Sequence, residues 1–376
     1  MIPILFEDEA QFALKSFSNG IGRLSDCLSF KVTEERNGIY ECEFTYPITG
    51  IHYNDIAIGS VVNITHDATH DPQPFVIYKA SKAIDGIVTF NGHHVSYKLN
   101  DIVACPVWEP ATLIDTPQNI MDVIAGMAVI TCPFDFFSDI SETDVFQIPK
   151  PDSIKRLIVS GGNSIVSVFG GELEYDGYEV HLWQHRGDDH GVTIRYGREM
   201  TDLRYEINNE NVYTGAVPFW AKDTTIVTLT EKYLIASGAE NDPVRLTVLD
   251  MSGDFSEQPT ESELRTAAQA KVDKIQWYAP ANVTVNFEML SQSPEYEQIA
   301  ALEKVVLCDT VYVYFKALGV YTAQKVIKTE YDPLNEKYTL IELGMPESSL
   351  AQTISSPLEA KIEEIQKQIK IINGTL

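Results

Sequence analysis

Cysteine is scarce in this chain, and its few positions form no pattern. The 376 residues contain five cysteines, an odd number, at Cys27, Cys42, Cys105, Cys132 and Cys308. These spacings match no zinc site and no disulfide framework. We therefore expect folding in a reducing cytoplasm, with all five thiols as small buried side chains. The first residues carry neither a basic segment nor an apolar run, so we expect no secretory signal.

Basic residues are also few. The chain has 28 Lys and Arg against 54 Asp and Glu, a formal net charge of −26. This charge opposes attraction to phosphate backbones and anionic membranes, and it argues against a protein that reads nucleic-acid sequence. It fits either an acidic soluble surface or the lining of a passage to which an anionic polymer must not adhere. No apolar run is long enough to span a bilayer; the most apolar stretch, residues 305–315, predicts a strand.

Catalytic motifs are missing as well. The sequence contains no H-E-x-x-H, no G-x-S-x-G and no phosphate-binding loop, because Gly161 and Gly162 precede a predicted helix without the lysine that such a loop needs. Paired carboxylates for glycoside cleavage could come from a group of three, although a connection between a helix and a strand usually carries solvated acids: Glu172, Glu174 and Asp176. We therefore predict no enzymatic activity and no cofactor.

One cluster of histidines and acids offers potential metal ligands: His181, His185, His190, Asp188 and Asp189. If one strand continued through His185, His181 and His185 would lie about 13 Å apart, too far for one zinc ion. Only a loop that folds back could gather them, and we predict no metal site. The tripeptide Arg186-Gly187-Asp188 matches an adhesion motif, but the same residues are ordinary content of a hairpin loop.

A strand unit occurs twice, about 250 residues apart. The first copy runs through residues 53–56, 61–64, 75–78 and 87–90, and the second through 296–299, 310–313, 325–328 and 338–341. The segments at 53–56 and 296–299 precede the first strand, which begins at 61 or 310. In both copies the second strand follows the first by about 15 residues, and the third comes about a dozen later. This rhythm is typical of a small antiparallel barrel or sandwich.

The rest of the chain divides around these two units into a mainly β protein with an α+β insertion. We predict a first β-barrel domain at 1–100, the insertion at 101–204, a β-rich domain with one helix at 205–280, a second barrel at 281–345 and a C-terminal helix at 346–376. In the insertion, Thr116 and Pro117 begin one helix and Asn163 caps another, while strands at 178–183 and 192–196 are joined by a loop. Thr260 and Glu263 form the capping box of a helix that runs to Ile275.

The C-terminal helix carries a heptad seam. Ser356-Pro357-Leu358-Glu359 is a capping box with proline at the first helical position, and Gly374 supplies a stop. The seam consists of residues spaced four and three apart in turn: Leu358, Ile362, Ile365, Ile369 and Ile372. Isoleucine at both core positions favours three or four strands over two, so we predict an axial bundle between copies. The alternative is a single helix that packs on its own domain.

Seven segments of the sequence carry a recognisable wording: SNGIGRLSD at 18–26, VTEERNGIYE at 32–41, TYPITG at 45–50, GGNSI at 161–165, GVTIRYG at 191–197, NVYTG at 211–215 and VIKTEY at 326–331. Together they resemble the tail-tip hub proteins of long-tailed phages and prophages of Gram-positive bacteria. The similarity spans nearly the whole chain up to Gly344 and is specific as a set.

The resemblance implies a fold like the baseplate hub of contractile phages, with two similar barrels in each chain. It further implies a homotrimer that closes the distal end of the tail tube, assembles in the bacterial cytoplasm and opens to pass phage DNA during entry. The implied partners are a hexameric distal tail protein, the tape-measure protein, receptor-binding proteins and the host envelope. The family name often includes an endopeptidase or lysin, an activity that we expect in a further C-terminal domain. A tail-associated cell-wall hydrolase and a receptor-binding adhesin remain the alternatives.

Overall fold

The computed structural model describes residues 1–13, 19–107, 110–160, 164–195, 202–207, 212–222, 225–255, 257–273, 281–286, 305–315 and 320–344. Two compact units divide this part of the chain: the first contains the described residues up to Glu206 together with those from Ala281, and the second contains those from Ile207 to residue 273. The predicted axial helix, the seam of Leu358, Ile362, Ile365, Ile369 and Ile372, and the segment 296–299 that precedes the strands of the second unit lie outside the described residues.

Strands dominate the described ranges. In chain order they are β1 (Ile4–Phe6), β2 (Gly22–Arg23), β3 (Ser29–Glu35), β4 (Tyr40–Pro47), β5 (Val61–Ile64), β6 (Gln73–Lys82), β7 (Ile87–His94), β8 (Val103–Ala104), β9 (Ala111–Asp115), β10 (Asp135–Ser138), β11 (Asp144–Ile148), β12 (Asp152–Ser153), β13 (Glu172–Asp176), β14 (Glu179–Trp183), β15 (Asp189–Arg195), β16 (Asp202–Ile207), β17 (Gly215–Lys222), β18 (Thr225–Thr228), β19 (Leu234–Ile235), β20 (Leu246–Asp250), β21 (Ala281–Asn286), β22 (Thr310–Phe315), β23 (Val320–Asp332) and β24 (Lys337–Gly344).

The helical elements are short. The α-helices are α1 (Glu9–Ala13), α2 (Pro117–Gly126), α3 (Ile165–Phe169) and α4 (Glu261–Val272), accompanied by 3-10 turns at Tyr53–Asp55 and Val95–Asn100 and a π turn at Arg156–Ser160. No helix in the described ranges has the length and apolar character that crossing a bilayer would require. The fold is therefore mainly β, as the sequence predicts.

The first unit is built on one curled sheet. Its strand order is β16-β21-β24-β23-β3-β4-β7-β6-β5-β1-β2, and β22 joins β15 to β23 beside this path. Strands β3 and β4 alternate buried and partly exposed residues, so that Phe30 and Phe44 stack inside with ring centroids 5.1 Å apart. The predicted turn at Asp85 and Gly86 joins β6 to β7, with Gly86 at φ 77° and the Asp85 carboxylate accepting from the Ile87 N–H.

Both predicted strand units are present as antiparallel meanders, β5-β6-β7 and β22-β23-β24. The predicted strand at 305–315 is shorter, since β22 begins at Thr310 and a turn with buried Val305 and Leu307 precedes it. Of the five cysteines, all of them free, Cys42 and Cys308 are buried as predicted. The other three, Cys27, Cys105 and Cys132, are partly exposed, which corrects that prediction.

The insertion packs on the first strand unit as one hydrophobic core, which contains Phe75, Ile120, Phe146 and Leu182. Helix α2 begins as predicted, with the Thr116 side chain accepting from the Asn119 N–H. Helix α3 is capped by Ser164, whose hydroxyl accepts from the Ser167 N–H, and not by Asn163 as predicted.

The predicted hairpin at 178–196 is wrong. Strand β14 pairs with β10 and β13 in a three-stranded sheet, whereas β15 leaves the insertion and pairs in parallel with β22. The connecting loop is held away from β14 by buried ion pairs, described below, which local sequence patterns do not reveal.

The second unit packs α4 against a four-stranded sheet of β17, β18, β19 and β20. The predicted capping box of α4 is present, since Thr260 and Glu263 each bind the other's backbone N–H. Leu264, Ala268 and Val272 are buried on one helix face, as the spacing predicts. The helix ends at Val272, and the predicted end at Ile275 lies outside the described residues.

Candidate functional site

A buried cluster of charged side chains lies where the first strand unit, the insertion and the second strand unit meet. At its centre is Arg186, which the loop after β14 carries inward. The Arg186 Nη1 donates to Glu34 Oε1 and to the carbonyl of Leu173, each at 2.9 Å. Burial penalises the charged guanidinium, but the neighbouring acidic groups, with Glu34 the foremost, together outweigh that penalty and raise the pKa of Arg186 above its ordinary value. This pair therefore fixes the loop against β3.

Glu172, at the start of β13, joins three segments. Both carboxylate oxygens accept from Lys325 Nζ at 2.7 Å, and one of them accepts from the backbone N–H of Arg186 at 2.7 Å. Arg36 Nη1 lies 3.4 Å from the other oxygen. The expectation that Glu172 is solvated is therefore wrong: its side chain is buried, and both carboxylate oxygens have cationic partners.

A second group, His66, Asp67 and His70, lies beside Glu34 on the turn after β5. The Asp67 Oδ2 lies 3.2 Å from His66 Nε2 and 2.6 Å from His70 Nδ1, and Oδ1 accepts from the backbone N–H groups of Thr69 and His70. Burial opposes ionisation of Asp67, yet the hydrogen bond from His70 and the two imidazoles lower its pKa; the same bond raises the pKa of His70. The group is thus a hydrogen-bonded His-Asp-His arrangement.

The donor atoms of this group lie within 4.8 Å of one another, so among the described residues they are the set that could hold a divalent ion. The sequence interpretation overlooked them, although the spacing H-D-x-x-H at 66–70 is visible. Glu34 lies on one side of the group, with His66 Nε2 3.7 Å from its Oε2. Because Arg186 already neutralises Glu34, Glu34 offers no unpaired negative charge to a metal ion. Hydrogen bonding is therefore the simpler role for His66, Asp67 and His70.

An open cavity of about 450 Å³ lies over the cluster in the first unit. Its wall includes His70, Glu174, Trp183, His185 and His190. Of the three histidines considered as metal ligands, His185 and His190 line this cavity. His181 does not join them, since it stacks between Phe137 and Trp183 and bonds Glu179 at 3.1 Å. His190 lies 3.8 Å from Asp309 and is about half exposed.

The floor of this cavity is a tight backbone crossing at Gly187. Its φ is 79°, and a Cβ at this position would lie 2.5 Å from the carbonyl carbon of Cys308. Next to it, the Asp188 N–H donates to Asp309 Oδ1 at 2.8 Å, and the Asp188 carbonyl accepts from Thr310. These contacts start the parallel pairing of β15 with β22.

The tripeptide Arg186-Gly187-Asp188 is therefore a structural element. Arg186 is 8% exposed and bound to Glu34, so its guanidinium is not displayed for adhesion. Of the three carboxylates considered for glycoside cleavage, Glu172 is neutralised by cations, Glu174 accepts from the Trp183 indole at 2.6 Å, and Asp176 accepts from Gln73. Opposite charges that neutralise one another suit a clamp between chain segments better than acid–base chemistry.

Comparisons with known proteins agree with this architecture. Residues 188–354 match the sequence model of a family described as Prophage endopeptidase tail. A prophage tail protein, gp18, from Listeria monocytogenes superposes with a TM-score of 0.62 at 14% identity, covering 98% of this chain and 100% of that one. No curated protein matches the chain.

Two further solved structures share the fold. The 43 kDa tail protein of prophage MuSo2 from Shewanella oneidensis gives a TM-score of 0.58 at 11% identity, covering 94% of this chain and 100% of that one. A tail protein from Neisseria meningitidis gives 0.54 at 9% identity, with coverages of 87% and 94%. The fold is that of phage tail proteins. The resemblance to prophage tail proteins that the sequence segments suggest is confirmed.

Proposed function

We propose that this protein is the structural hub at the distal end of a phage tail. Three copies form a ring that closes the tail tube and becomes the channel for DNA during entry into the host cell. Each chain contributes two similar β-barrel domains, and six such modules in a trimer match the six-fold symmetry of a tail tube. The coverage by whole prophage tail proteins supports the tail location.

The observation that carries the hub role is the repeated backbone pattern of the two strand units. The N–H of Gly59 donates to the carbonyl of Ile77, and the N–H of Cys308 donates to the carbonyl of Val326; a register irregularity follows directly in both strands. Gly59 and Cys308 both have positive φ, 94° and 72°. Two equivalent modules in one chain are what a three-fold component needs to meet a six-fold one.

The acidic charge supports the channel. A net charge of −26 on each chain opposes adhesion of a polyanion that must pass quickly. The proposed partners are a hexameric distal tail protein, the tape-measure protein and receptor-binding proteins, and the assembled tip meets the host envelope. The seam of Leu358, Ile362, Ile365, Ile369 and Ile372 would form an axial bundle below the ring.

Light scattering on the purified protein tests the assembly. We expect the mass of three chains of 42.1 kDa and, by electron microscopy, rings with six similar modules around a central passage. A monomer at all concentrations, or a ring with another copy number, would contradict the trimeric hub.

The family description favours a second function, cleavage of the cell wall by an endopeptidase. We expect no such activity, because the charged cluster beneath the cavity neutralises its own carboxylates. The test incubates the purified protein with Gram-positive cell walls and measures released amines and reducing sugars. Sustained release that co-purifies with the chain would establish a hydrolase, whether or not dialysis against a chelator abolishes it.

A further inference from the structure

One edge of β6 is only half covered. Its first half pairs with β5, and the backbone of Ile77 closes that pairing through bonds with Gly59 and Ser60 at 2.8 and 2.9 Å. Beyond Ile77, Tyr78 lies in a register irregularity and residues 79–82 pair with β7 on one side. No strand in the described ranges pairs with the other side of residues 78–82. These five residues, the outer segment of β6, are all exposed: Tyr78, Lys79, Ala80, Ser81 and Lys82.

The equivalent segment of the second strand unit is covered. Val326 closes the pairing of β23 with β22 through the same two backbone bonds, from Cys308 and to Asp309. The same irregularity follows, and then residues 328–331 pair antiparallel with residues 32–35 of β3. Thr329 and Tyr331, which correspond to Ala80 and Lys82, are 3% and 2% exposed. The outer segment of β6 thus corresponds to the part of β23 that pairs with β3, but no described strand pairs with it.

The strand that would fill it is also identifiable. From β6 the sheet continues through β7 and β4 to β3, and from β23 it continues through β24 and β21 to β16. Strand β16 therefore occupies the position of β3, and among the described strands it is the last of this sheet. The correspondence stops at the next strand, since β1 pairs antiparallel with β5 whereas β15 pairs in parallel with β22. Within the described residues, each chain then has one internal β3–β23 junction and two unpaired edges, the outer segment of β6 and the far side of β16.

We propose that β16 of a second copy of this chain pairs antiparallel with the outer segment of β6, repeating between chains the junction that β3 and β23 make within one. Such a contact joins different surfaces of the two copies, and it closes into a ring when the rotation is right. The proposal deepens the proposed hub function and rests on it, because it names the contact that would hold the ring together.

Charge supports this partner. At the filled junction, Lys328 Nζ lies 2.7 Å from Glu35 Oε1. Lys79 corresponds to Lys328, and neither Lys79 nor Lys82 has an ion-pair partner among the described residues. The sequence of β16 carries Asp202 and Glu206. Exposed lysines also protect open strand edges from pairing, and the experiment separates that role from docking.

The direction of the backbone N–H groups sets the variant. The Ala83 N–H donates to Ile87 on the β7 side. Because N–H groups alternate along a strand, those of Ala80 and Lys82 face the open edge. Proline at position 80 removes an outward donor without breaking the β6–β7 pairing. Ala80→Thr is the matched control, since it keeps the N–H and installs the residue found at the filled junction.

Hydrogen exchange with mass spectrometry and light scattering on the full chain test the proposal. We expect the wild type and Ala80→Thr to form the ring, with the Lys82 amide exchanging at least about 100-fold more slowly than in Ala80→Pro, which runs as a smaller species. Exchange on the wild type alone decides the matter if Ala80→Pro does not fold.

The outcomes separate the two hypotheses. A trimer in which the Lys82 amide exchanges as fast as an open loop would overturn the strand pairing and leave the hub intact. A ring of another size with a protected Lys82 amide would support the pairing and contradict the trimer. A monomer with an unprotected edge would overturn both, and would assign Lys79 and Lys82 to protection of the edge.

Discussion

Lys155 is a buried amine with no carboxylate beside it in the described residues. Its Nζ donates to the Tyr175 hydroxyl at 2.8 Å and lies 4.2 Å from the centre of that ring. Burial lowers the pKa of Lys155 from 10.5 to about 7. Between these values the unfolded chain binds a proton that the folded chain has released, so this residue makes stability rise with pH over that window.

Lys155→Met should therefore stabilise the protein at pH 6 and remove that rise. We expect a gain on the order of a few kcal/mol at pH 6 that vanishes near pH 11. Urea unfolding of the variant and of wild type across this range measures the difference. Lys150→Met, at an exposed position, is the control and should change little. A constant difference at every pH would contradict a neutral Lys155 in the folded state.

Arg186→Met tests the charged cluster. The change leaves Glu34 buried without its main cation, and we expect a loss of about 3–5 kcal/mol in the free energy of unfolding. The control is Arg156→Met in the same unit, since Arg156 is 60% exposed and 3.6 Å from Asp152. That exposed pair should contribute about 0–1 kcal/mol. Equal effects of the two substitutions in urea unfolding would show that burial of the Arg186 pair adds nothing.

The loop between β14 and β15 depends on glycine for two separate reasons. Gly187 and Gly191 both have positive φ, 79° and 67°, but they differ in the space around them. A Cβ on Gly187 would lie within 3 Å of backbone atoms, whereas a Cβ on Gly191 would face open space. Gly191→Ala should cost only the conformational strain, about 1–2 kcal/mol. Gly187→Ala adds a clash with Cys308 and Asp309 and should cost several kcal/mol.

Thermal unfolding of the two glycine variants measures this contrast. Similar melting temperatures for Gly187→Ala and Gly191→Ala would mean that the crossing of the loop over Cys308 is loose. In that case the start of the β15–β22 pairing would need another cause than close backbone packing.

Elements with local signals are predictable from sequence, and contacts between distant segments are not. The capping hydroxyls of Thr116 and Thr260 and the turn at Asp85 act within a few residues, so their patterns suffice. The pairing of β15 with β22 joins segments more than 100 residues apart, and Arg186 finds Glu34 across a similar separation. No periodicity encodes such partners, which is why the sequence predicts a hairpin for the loop and solvated acids for the charged cluster.

At the scale of the whole molecule, one strand junction is present within the chain, and in the proposed ring it would recur between chains. Within the chain, β3 on β23 joins the two strand units, and the cluster of Glu172, Lys325 and Arg186 fixes that junction from the insertion side. In the proposed ring, the outer segment of β6 would repeat this geometry between chains. A ring held by backbone pairing would tolerate wide changes of side chain, which fits tail proteins that share this fold at 9–14% identity.

The axial seam should reinforce this ring without creating it. Each buried side chain of the seam contributes roughly 1.5–3 kcal/mol, and the ordering of a helix of two heptads consumes most of that gain. Ile365→Asp with Ile369→Asp places like charges in two core layers, so the helices should separate while the ring persists. Lys367→Asp with Lys370→Asp, off the seam, is the control. Light scattering and proteolysis after Leu343 compare the variants with wild type. A seam variant that falls to monomers, or a wild-type segment cleaved as readily as the seam variant's, would contradict a secondary axial bundle.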